Sequence, residues 1–534
     1  MKIKYIAMMV ISGALLSACE LPSLDDDIDH SATTTSATST SDTSGSSSTG
    51  ASSTTNDTNS PLASISVSGG TRSFAFGKAF NTTGLKVIAK YENNSTKTVT
   101  SSAVIDSSSY NKDVTGDYLI NVSYTENEIT KSTTYTVTVK EDNKAEWTIM
   151  LYICGSDLES ENGFATSDIN EILSVSGQPD DVNFIIETGG SSSWSKSGIS
   201  SDNLGRWHVS GKKLVKDTEI SDAGMGERST FESFLNWGLN NYPAEKTGVI
   251  LWNHGGALEG VCYDENHNNN TLQNNEVKQA LSNVLGTDNK LEFIGYDACL
   301  MQVQEIAEFN SPYANYMVAS QETEAGEGWD YDTWLDDLYA KKDTKTILKA
   351  IVDGFIADNG GVTGTGYYYQ GTYYPSDQTL SYLDLSKMSA YKTAWENMAS
   401  ELAKKISAGG KSDFNTNVMG KVKYFGGSDW ARFGIFDVSH FLSILSSNST
   451  YNPGSEYISA VSNALNDLVV YSVSQTEAAK DAHGLCFNYY CGGSDCWYKN
   501  TTKYFSSTYS NFTKWCSLAK SYGGSFSSSY NYKK

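Results

Sequence analysis

Two short stretches of the sequence place a cysteine and a histidine where a nucleophile and its base would stand. Cys299 ends the apolar run from Phe293 to Ala298, and His254 ends a similar run that begins at Thr247. Such runs are typical of buried parallel strands, and the loops beyond the carboxyl ends of such strands form the ligand crevice. An imidazole can take the proton of a thiol that is mostly protonated at neutral pH. The pair predicts thiol chemistry, although either residue alone is more often structural.

The residues after each strand add to this prediction. Gly255 and Gly256 permit a tight turn or the close approach of a substrate. Gln302 to Phe309 has helical spacing, and the backbone N–H groups at a helix start can hold an anion. We therefore expect an anion-binding helix start directly after the thiol.

The chain begins with a pattern typical of export. Lys2 and Lys4 precede an apolar run, which ends in Leu16-Ser17-Ala18-Cys19. This predicts a lipoprotein signal peptide at residues 1–18 and a mature N-terminus at Cys19 that carries lipid. The alternative is an ordinary cleaved signal followed by an incidental cysteine. The apolar run is too short for a permanent membrane span, so the lipid would anchor an exported protein to the extracytoplasmic or cell-surface side of a bacterial membrane.

Two further segments separate this start from the predicted catalytic region. Residues 19–61 are acidic and then almost entirely Ser, Thr, Gly, Asn and Asp, which predicts a disordered tether. Residues 62–141 alternate apolar and polar positions in short runs, which predicts a small β-sandwich. Its pattern resembles bacterial immunoglobulin-like domains, most of which are spacers.

Residues 145–520 alternate predicted strands and helices, which favours an α/β fold with a mainly parallel sheet between helices. The region is longer than a usual single core, so we expect a C-terminal extension, and a tail at residues 521–534. The predicted strands are 147–154, 182–187, 247–253, 292–297 and 316–320, and the predicted helices are 231–241, 276–285, 301–309, 344–357 and 391–406.

Leu251-Trp252-Asn253-His254-Gly255-Gly256 and Tyr296-Asp297-Ala298-Cys299-Leu300-Met301 resemble the clostripain-like cysteine peptidases. That family shares a caspase-like α/β/α fold with gingipains, legumains and separases. Trp147 to Glu159, Gly326 to Tyr331 and Leu383 to Ser386 look similar too. The resemblance implies a cysteine endopeptidase that acts on protein or peptide substrates, and a Cys-His dyad can suffice in the family.

On this reading His254 is general base and then general acid, and Cys299 attacks the scissile carbonyl to form a thioester. The oxyanion would be held by the backbone N–H groups of Gly255 and Cys299. Similar enzymes select Arg or Lys with acidic positions that match Asp297 and Glu327, since a desolvated carboxylate pairs well with a guanidinium. The alternative for these acids is a structural role in the loops, which we favour for Asp330.

Other features narrow the possible partners. The net charge of −23 argues against nucleic acid, and we expect a monomer. Of eight cysteines, four near the C-terminus could form two disulfides in an oxidising compartment, with zinc as the weaker alternative. These are Cys486, Cys491, Cys496 and Cys516. Cys154 and Cys262 would be buried or near the active-site face. No cofactor is expected, and the calcium dependence known in the family has no matching loop motif here.

One departure from the family concerns maturation. Many relatives are cleaved after a basic residue between the histidine and the cysteine, but residues 255–277 contain neither Lys nor Arg. Cleavage at Lys278, Lys290, Lys140 or Lys144, or no cleavage, remains open. Two other functions also remain open: an inactive surface-binding or adhesive lipoprotein, and another thiol-dependent amidase or acyl hydrolase.

Overall fold

The computed structural model describes residues 60–140, 144–221, 223–360, 366–369, 372–375, 378–426, 433–474, 480–489 and 504–524. The chain divides into two units, an all-β unit before residue 144 and a larger α/β unit after it. The predicted signal peptide, Cys19 and nearly all of the predicted tether lie outside the described residues.

The first unit consists of two small sheets with a shared apolar core. One sheet has the order β1-β3-β4 and the other the order β2-β7-β6-β5. Apolar residues alternate with exposed polar ones along the strands, and Val87, Ile120 and Val137 are fully buried between the sheets. The likeness to an immunoglobulin-like domain stays a prediction. The strands are β1 (Leu62–Gly69), β2 (Ser73–Ala75), β3 (Leu85–Tyr91), β4 (Thr96–Thr98), β5 (Val104–Asp106), β6 (Gly116–Glu126) and β7 (Ile129–Lys140).

The second unit is built on a sheet that has nine strands among the described residues. Its order is β11-β10-β9-β8-β12-β15-β16-β19-β21. The strands of this unit are β8 (Ala145–Cys154), β9 (Val182–Gly189), β10 (Leu204–Ser210), β11 (Lys213–Ile220), β12 (Ala244–Trp252), β13 (Val261–Asp264), β14 (Asn270–Leu272), β15 (Leu291–Asp297), β16 (Ala314–Ala319), β17 (Gly366–Tyr369), β18 (Thr372–Pro375), β19 (Thr379–Asp384), β20 (Ile435–Asp437), β21 (Val469–Ser474) and β22 (Cys486–Asn488).

The helices of this unit are α1 (Ser156–Ser160), α2 (Phe164–Ser174), α3 (Arg228–Asn241), α4 (Asn274–Leu285), α5 (Gln304–Asn310), α6 (Tyr331–Tyr339), α7 (Thr344–Gly360), α8 (Met388–Gly409), α9 (Lys411–Asn417), α10 (Val438–Ser447), α11 (Ser455–Leu468) and α12 (Thr513–Tyr522). All predicted strands and helices correspond to observed elements, with ends that differ by a few residues.

The five central strands β9, β8, β12, β15 and β16 run parallel, and antiparallel strands flank them on both sides. β8 is apolar on both faces because helices cover it on each side, and from Trp147 to Cys154 its side chains are almost completely buried. The predicted α/β fold with a mainly parallel sheet is confirmed. The parallel arrangement brings the carboxyl ends of β8, β12 and β15 to one edge.

Two sequence-based expectations are wrong. The helix after the thiol begins at Gln304, not at Met301 or Gln302, because Leu300 adopts a left-handed φ of +68° and Val303 pairs in extended conformation with Cys486. The thiol therefore does not lie at a helix start. Cys486 and Cys516 are free and buried, so they do not take part in the two predicted disulfides, while Cys491 and Cys496 lie outside the described residues.

Candidate active site

The candidate site forms where three adjacent strands end. Trp252 at the end of β12 lies in parallel register with Asp297 of β15 on one side and with Ile153 of β8 on the other. His254 follows Trp252 by two residues, and Cys299 follows Asp297 by two. Equal offsets from paired positions bring the histidine and the cysteine loops side by side, as the sequence predicts.

The backbone at Gly255 presses against the backbone of Cys299. A Cβ atom added at Gly255 would lie 2.0 Å from the carbonyl oxygen of Cys299 and 3.0 Å from its nitrogen. Only glycine fits at this distance, which explains the residue type next to His254. The two residues predicted to donate oxyanion hydrogen bonds are thus neighbours in space, and their role as donors stays a prediction.

The sulfur of Cys299 lies in a nearly closed environment. The residue is 3% exposed, and the backbone N–H of Glu324 donates to Sγ at 3.1 Å. A donor at this place stabilises the thiolate. Cys299 is disulfide-bonded in this structure. Nucleophilic attack therefore requires reduction of this sulfur first.

The imidazole of His254 is held by a carboxylate that the sequence did not reveal. Nε2 of His254 lies 2.8 Å from Oδ1 of Asp157, the second residue of α1, which follows β8. Nδ1 is buried and has no hydrogen-bond partner among the described residues. Burial acts to raise the pKa of Asp157, but its hydrogen bonds, foremost with His254, outweigh this and hold the pKa below its ordinary value. Asp157 is thus ionised beside the ring.

A small pocket opens next to the sulfur, with acidic groups in its wall. It is partly open to solvent, and Asp297 and Glu324 line it beside Trp252 and Cys299. Asp297 accepts hydrogen bonds from the Tyr331 hydroxyl at 2.9 Å and from a backbone N–H. Asp297 is 4% exposed and Glu324 is also 4% exposed. The pocket adjoins the predicted nucleophile on one side and buried carboxyls on the other.

A third carboxyl, that of Asp168 on α2, joins this group. Its Oδ2 accepts from the indole N–H of Trp252 at 2.6 Å. A Cβ atom at Gly328 would lie 3.1 Å from Oδ2 of Asp168 and 3.1 Å from Oδ1 of Asp297, and Gly328 has a φ of +65°. Glycine at this position therefore allows the loop to pass close to both carboxyl groups.

The electrostatics of these three carboxyls favour a cationic ligand. Burial raises the pKa of Asp297 to about 7 against the opposing hydrogen bond from Tyr331. Burial, followed by the charge of Asp297, raises the pKa of Asp168 and of Glu324 well above the ordinary values. In the described part of the chain, none of the three forms an ion pair with Lys, Arg or His. A cation bound here would lower all three pKa values.

The other predicted acids lie farther out. Glu327 is exposed and is not among the residues that line the pocket, but its charge contributes to the raised pKa of Asp168. Asp330 directly precedes α6, and its carbonyl oxygen accepts from the Thr333 hydroxyl, in agreement with a structural role. The structure brings together His254, Cys299, Gly255 and Asp297, and it places Glu327 at the rim.

Sequence reasoning missed Asp157, Asp168 and Glu324. Asp157 and Glu324 follow the carboxyl ends of β8 and β16, so the strand-end rule that singled out His254 and Cys299 could have found them. No such signal marks Asp168, because it lies in the middle of a helix and reaches the site only through packing.

Cys154 and Cys262 are free and buried, as expected, and burial raises the pKa of each thiol well above its ordinary value. A thiol with a raised pKa is less often ionised at neutral pH, so both are poor nucleophiles. Among the described residues, no three His, Cys, Asp or Glu side chains are arranged to hold a metal ion, and no helix has the length and apolarity to cross a membrane.

The family model described as the clostripain family matches residues 151–522, which is more than half of the chain. The chain belongs to the clostripain family. The matched range contains every site residue described above, so the resemblance seen in the sequence is confirmed.

Individual relatives are distant. Clostripain from Hathewaya histolytica is 24% identical over 296 residues, which cover 48% of this chain and 55% of that protein. The chain therefore spans about half of the length of this curated clostripain. A secreted C11 cysteine protease from Bacteroides thetaiotaomicron, solved with an irreversible peptide inhibitor, matches with a TM-score of 0.50 and 16% identity over 70% of this chain and 99% of that one.

An inactive zymogen of a C11 protease from Parabacteroides distasonis matches with a TM-score of 0.46 and 17% identity, over 65% of this chain and 92% of that one. At 16% identity and a TM-score of 0.50, the Bacteroides thetaiotaomicron structure is evidence for the fold alone, and it agrees with the α/β sheet described above.

Proposed function

We propose that this chain is a cysteine endopeptidase that cleaves peptide bonds after Arg or Lys. Reduced Cys299 attacks the scissile carbonyl carbon as its proton passes to His254, and the carbonyl oxygen becomes an oxyanion. The intermediate collapses to a thioester as His254 returns the proton to the leaving amine. Water, deprotonated by His254, then hydrolyses the thioester and frees the thiol.

The oxyanion is held by backbone N–H groups of Gly255 and Cys299. Support comes from the contact between these two backbones, since a Cβ atom at Gly255 would lie 2.0 Å from the carbonyl oxygen of Cys299. Loss of one such donor raises the barrier by about 3 kcal/mol. The contact also makes the position of the histidine loop depend directly on the position of the cysteine loop.

The preference for a basic side chain rests on one observation: the buried carboxyls of Asp297, Glu324 and Asp168, in and behind the pocket, form no ion pair with Lys, Arg or His among the described residues. Burial of three neighbouring acids and the repulsion between them disfavour their charged forms, and a bound cation favours those forms. A guanidinium or ammonium group supplies the missing positive charge and donates charge-assisted hydrogen bonds to the carboxylates. Glu327 at the rim adds a weaker, solvent-screened attraction.

The test is hydrolysis of matched fluorogenic peptides that end in Arg, Lys, Ala or Asp, after treatment with a thiol reductant. We expect turnover of the Arg and Lys peptides alone, and none from Cys299→Ala or His254→Ala. Equal turnover of the Ala peptide would refute the basic preference. Turnover that survives in Cys299→Ala would refute the nucleophile.

Two readings compete with this one. A binding or adhesive protein that has lost activity would show no turnover after reduction. The presence of both His254 and Cys299 argues against this reading. A different thiol-dependent amidase or acyl hydrolase would cleave ester or small amide substrates and leave peptides intact. The acidic pocket favours the peptidase, because neither alternative requires buried carboxyls beside the thiol.

The remaining proposals concern the setting of the enzyme. We propose an exported, monomeric protein held to a bacterial membrane by lipid on Cys19, with no nucleic-acid partner and no required cofactor. Mass spectrometry of the mature N-terminus tests the anchor, and an acylated Cys19 is the expected result. Activity that is unchanged by a calcium chelator is the expected result for the cofactor.

A further inference from the structure

A chain of hydrogen bonds connects the core of the sheet to the catalytic histidine. The Asn253 amide donates to the Ser156 hydroxyl at 2.8 Å and to the carbonyl oxygen of Cys154 at 2.6 Å. The Ser156 hydroxyl donates to Oδ1 of Asp157 at 2.9 Å, and the same oxygen faces Nε2 of His254 at 2.8 Å. The carboxylate is therefore fixed from one side by the core and meets the imidazole on the other.

The turn that carries Asp157 is held in an unusual conformation. Ser156 is buried and has a φ of +47°, which is disfavoured for a residue with a side chain. Its N–H donates to Gly190 at 3.0 Å, and its carbonyl oxygen accepts from the Ser191 hydroxyl at 2.7 Å. A Cβ atom at Gly155 would meet Ser191 at 2.9 Å. These contacts hold the start of α1 in a strained backbone conformation, which places Asp157 against His254.

The partner of Nε2 decides which nitrogen acts as the base. A carboxylate can only accept, so Nε2 carries a proton in the neutral ring and Nδ1 bears the lone pair. Nδ1 is the buried ring nitrogen that lacks a partner among the described residues. Nδ1 is therefore the nitrogen of the neutral ring that can accept a proton.

We propose that Asp157 is a positioning residue that fixes this tautomer of His254 and stabilises the imidazolium formed when Cys299 becomes a thiolate. This inference rests on the proposed function and adds a third member to the Cys-His pair. The proton moves from the sulfur to Nδ1 and later from Nδ1 to the amine, while Asp157 stays ionised throughout.

The charged and titratable groups around His254 make the inference testable. Asp157 contacts the ring, Cys299 is the partner in proton transfer, and Tyr263 lies edge-on with ring centroids 6.4 Å apart. Glu265 also contacts α1, but it does so by accepting a hydrogen bond from the Ser160 hydroxyl, and it accepts another from Ser192. Glu265→Gln is therefore a matched control that removes one carboxylate bound to α1, and this carboxylate has no hydrogen bond to the imidazole.

The experiment compares Asp157→Asn with Glu265→Gln in the reduced full-length protein. Asparagine can still accept from Nε2 but carries no charge. We expect Asp157→Asn to lower kcat for Arg peptides by about 10- to 100-fold with little change in KM. Glu265→Gln should leave kcat unchanged.

A second readout needs no substrate. The rate of Cys299 alkylation by iodoacetamide measures how much of the thiol is ionised to the thiolate. Asp157→Asn should lower this rate more at about pH 6 than at about pH 9. The reason is that the imidazolium paired with the thiolate no longer has a carboxylate beside it. Peptide mapping assigns the label to Cys299. Ser156→Ala should shift the same ratio in the same direction to a smaller extent.

The outcomes separate the two proposals. Parent-like kcat and an unchanged alkylation ratio in Asp157→Asn would overturn the positioning role. Equal losses at both pH values would also overturn it, since they indicate only a structural role. If the parent cleaves no peptide while Asp157→Asn still lowers the alkylation ratio, the role of Asp157 stands and the peptidase proposal fails.

Discussion

At the scale of single residues, the site combines the Cys299 thiol, which must be reduced before it can act, with the Asp297 carboxyl, whose ionised form is disfavoured in the folded protein. Asp297 is almost fully buried, and its pKa of about 7 lies above the ordinary value of 3.8. The folded state therefore binds this proton more tightly than the unfolded state does. Ionised Asp297 lowers the stability of the fold, and the binding of a cationic side chain offsets that loss.

Asp297→Asn should therefore stabilise the empty protein while it weakens substrate binding. The stabilisation should grow as pH rises from about 4 to about 7 and then level off, because only the native carboxyl stays protonated in that window. Thermal unfolding of parent and variant across this range measures the effect. A constant difference in unfolding temperature would contradict the burial argument.

The same variant should raise KM for Arg peptides by about 100-fold, which is typical when one partner of a buried charge pair is removed. Glu327→Gln is the matched comparison, since Glu327 is exposed at the rim. We expect a change of about threefold there, as for screened surface charges. A larger rise in KM for the Glu327 variant than for the Asp297 variant would indicate that the basic side chain is recognised at the rim and not in the buried pocket.

The sequence predicted His254, Cys299, Gly255 and Asp297 because each belongs to a strand end or its neighbour, and the strand-end rule links pattern to position. It could not predict Asp168, because a helical aspartate in the sequence carries no sign of what the helix packs against. The prediction of disulfides at Cys486 and Cys516 was wrong for a similar reason. Spacing suggested disulfides, whereas packing keeps both thiols buried and free.

At the scale of secondary-structure elements, β12 and β15 act as one unit because the loops after them touch. The parallel register from Gly248 with Phe293 to Trp252 with Asp297 fixes where each loop begins. The sequence predicted both strands well because their apolar runs are continuous. It misplaced the start of α5 because Leu300 adopts a left-handed conformation and Val303 pairs with Cys486, which follows it by 183 residues.

Gly255→Ala tests this contact. The new methyl group would overlap the carbonyl oxygen of Cys299, so the histidine loop must shift and an oxyanion donor is displaced. We expect kcat/KM to fall by about 10²- to 10³-fold with the sheet intact by circular dichroism.

Gly177→Ala serves as the control for this substitution. Gly177 has a φ of +90° and open space around it, so the variant suffers backbone strain alone. It should lose about 1 kcal/mol of stability and keep its activity. Similar activity losses in both variants would mean that the contact between Gly255 and Cys299 has no special role.

At the scale of the whole molecule, the described site residues all belong to the α/β unit. The all-β unit has its own core, in which Phe74, Val122 and Val137 are fully buried. Composition and period-two alternation predicted this unit and its strands, but they single out no binding surface in it.

A protein that consists of residues 144–534 should therefore fold and retain kcat/KM within about twofold of the full-length value, since each unit has a separate core. Peptide hydrolysis by purified samples after reduction measures this. A soluble, folded 144–534 protein without activity would show that the β unit takes part in catalysis.

The most direct measurement is covalent capture of the nucleophile. The reduced full-length protein is incubated with a peptide chloromethyl ketone that ends in arginine, and the adduct is located by peptide mass spectrometry, with the alanine analogue and His254→Ala in parallel. We expect one adduct, on Cys299, which forms far more slowly with the alanine reagent and in His254→Ala. Labelling of a different cysteine, or equal labelling by both reagents, would contradict it.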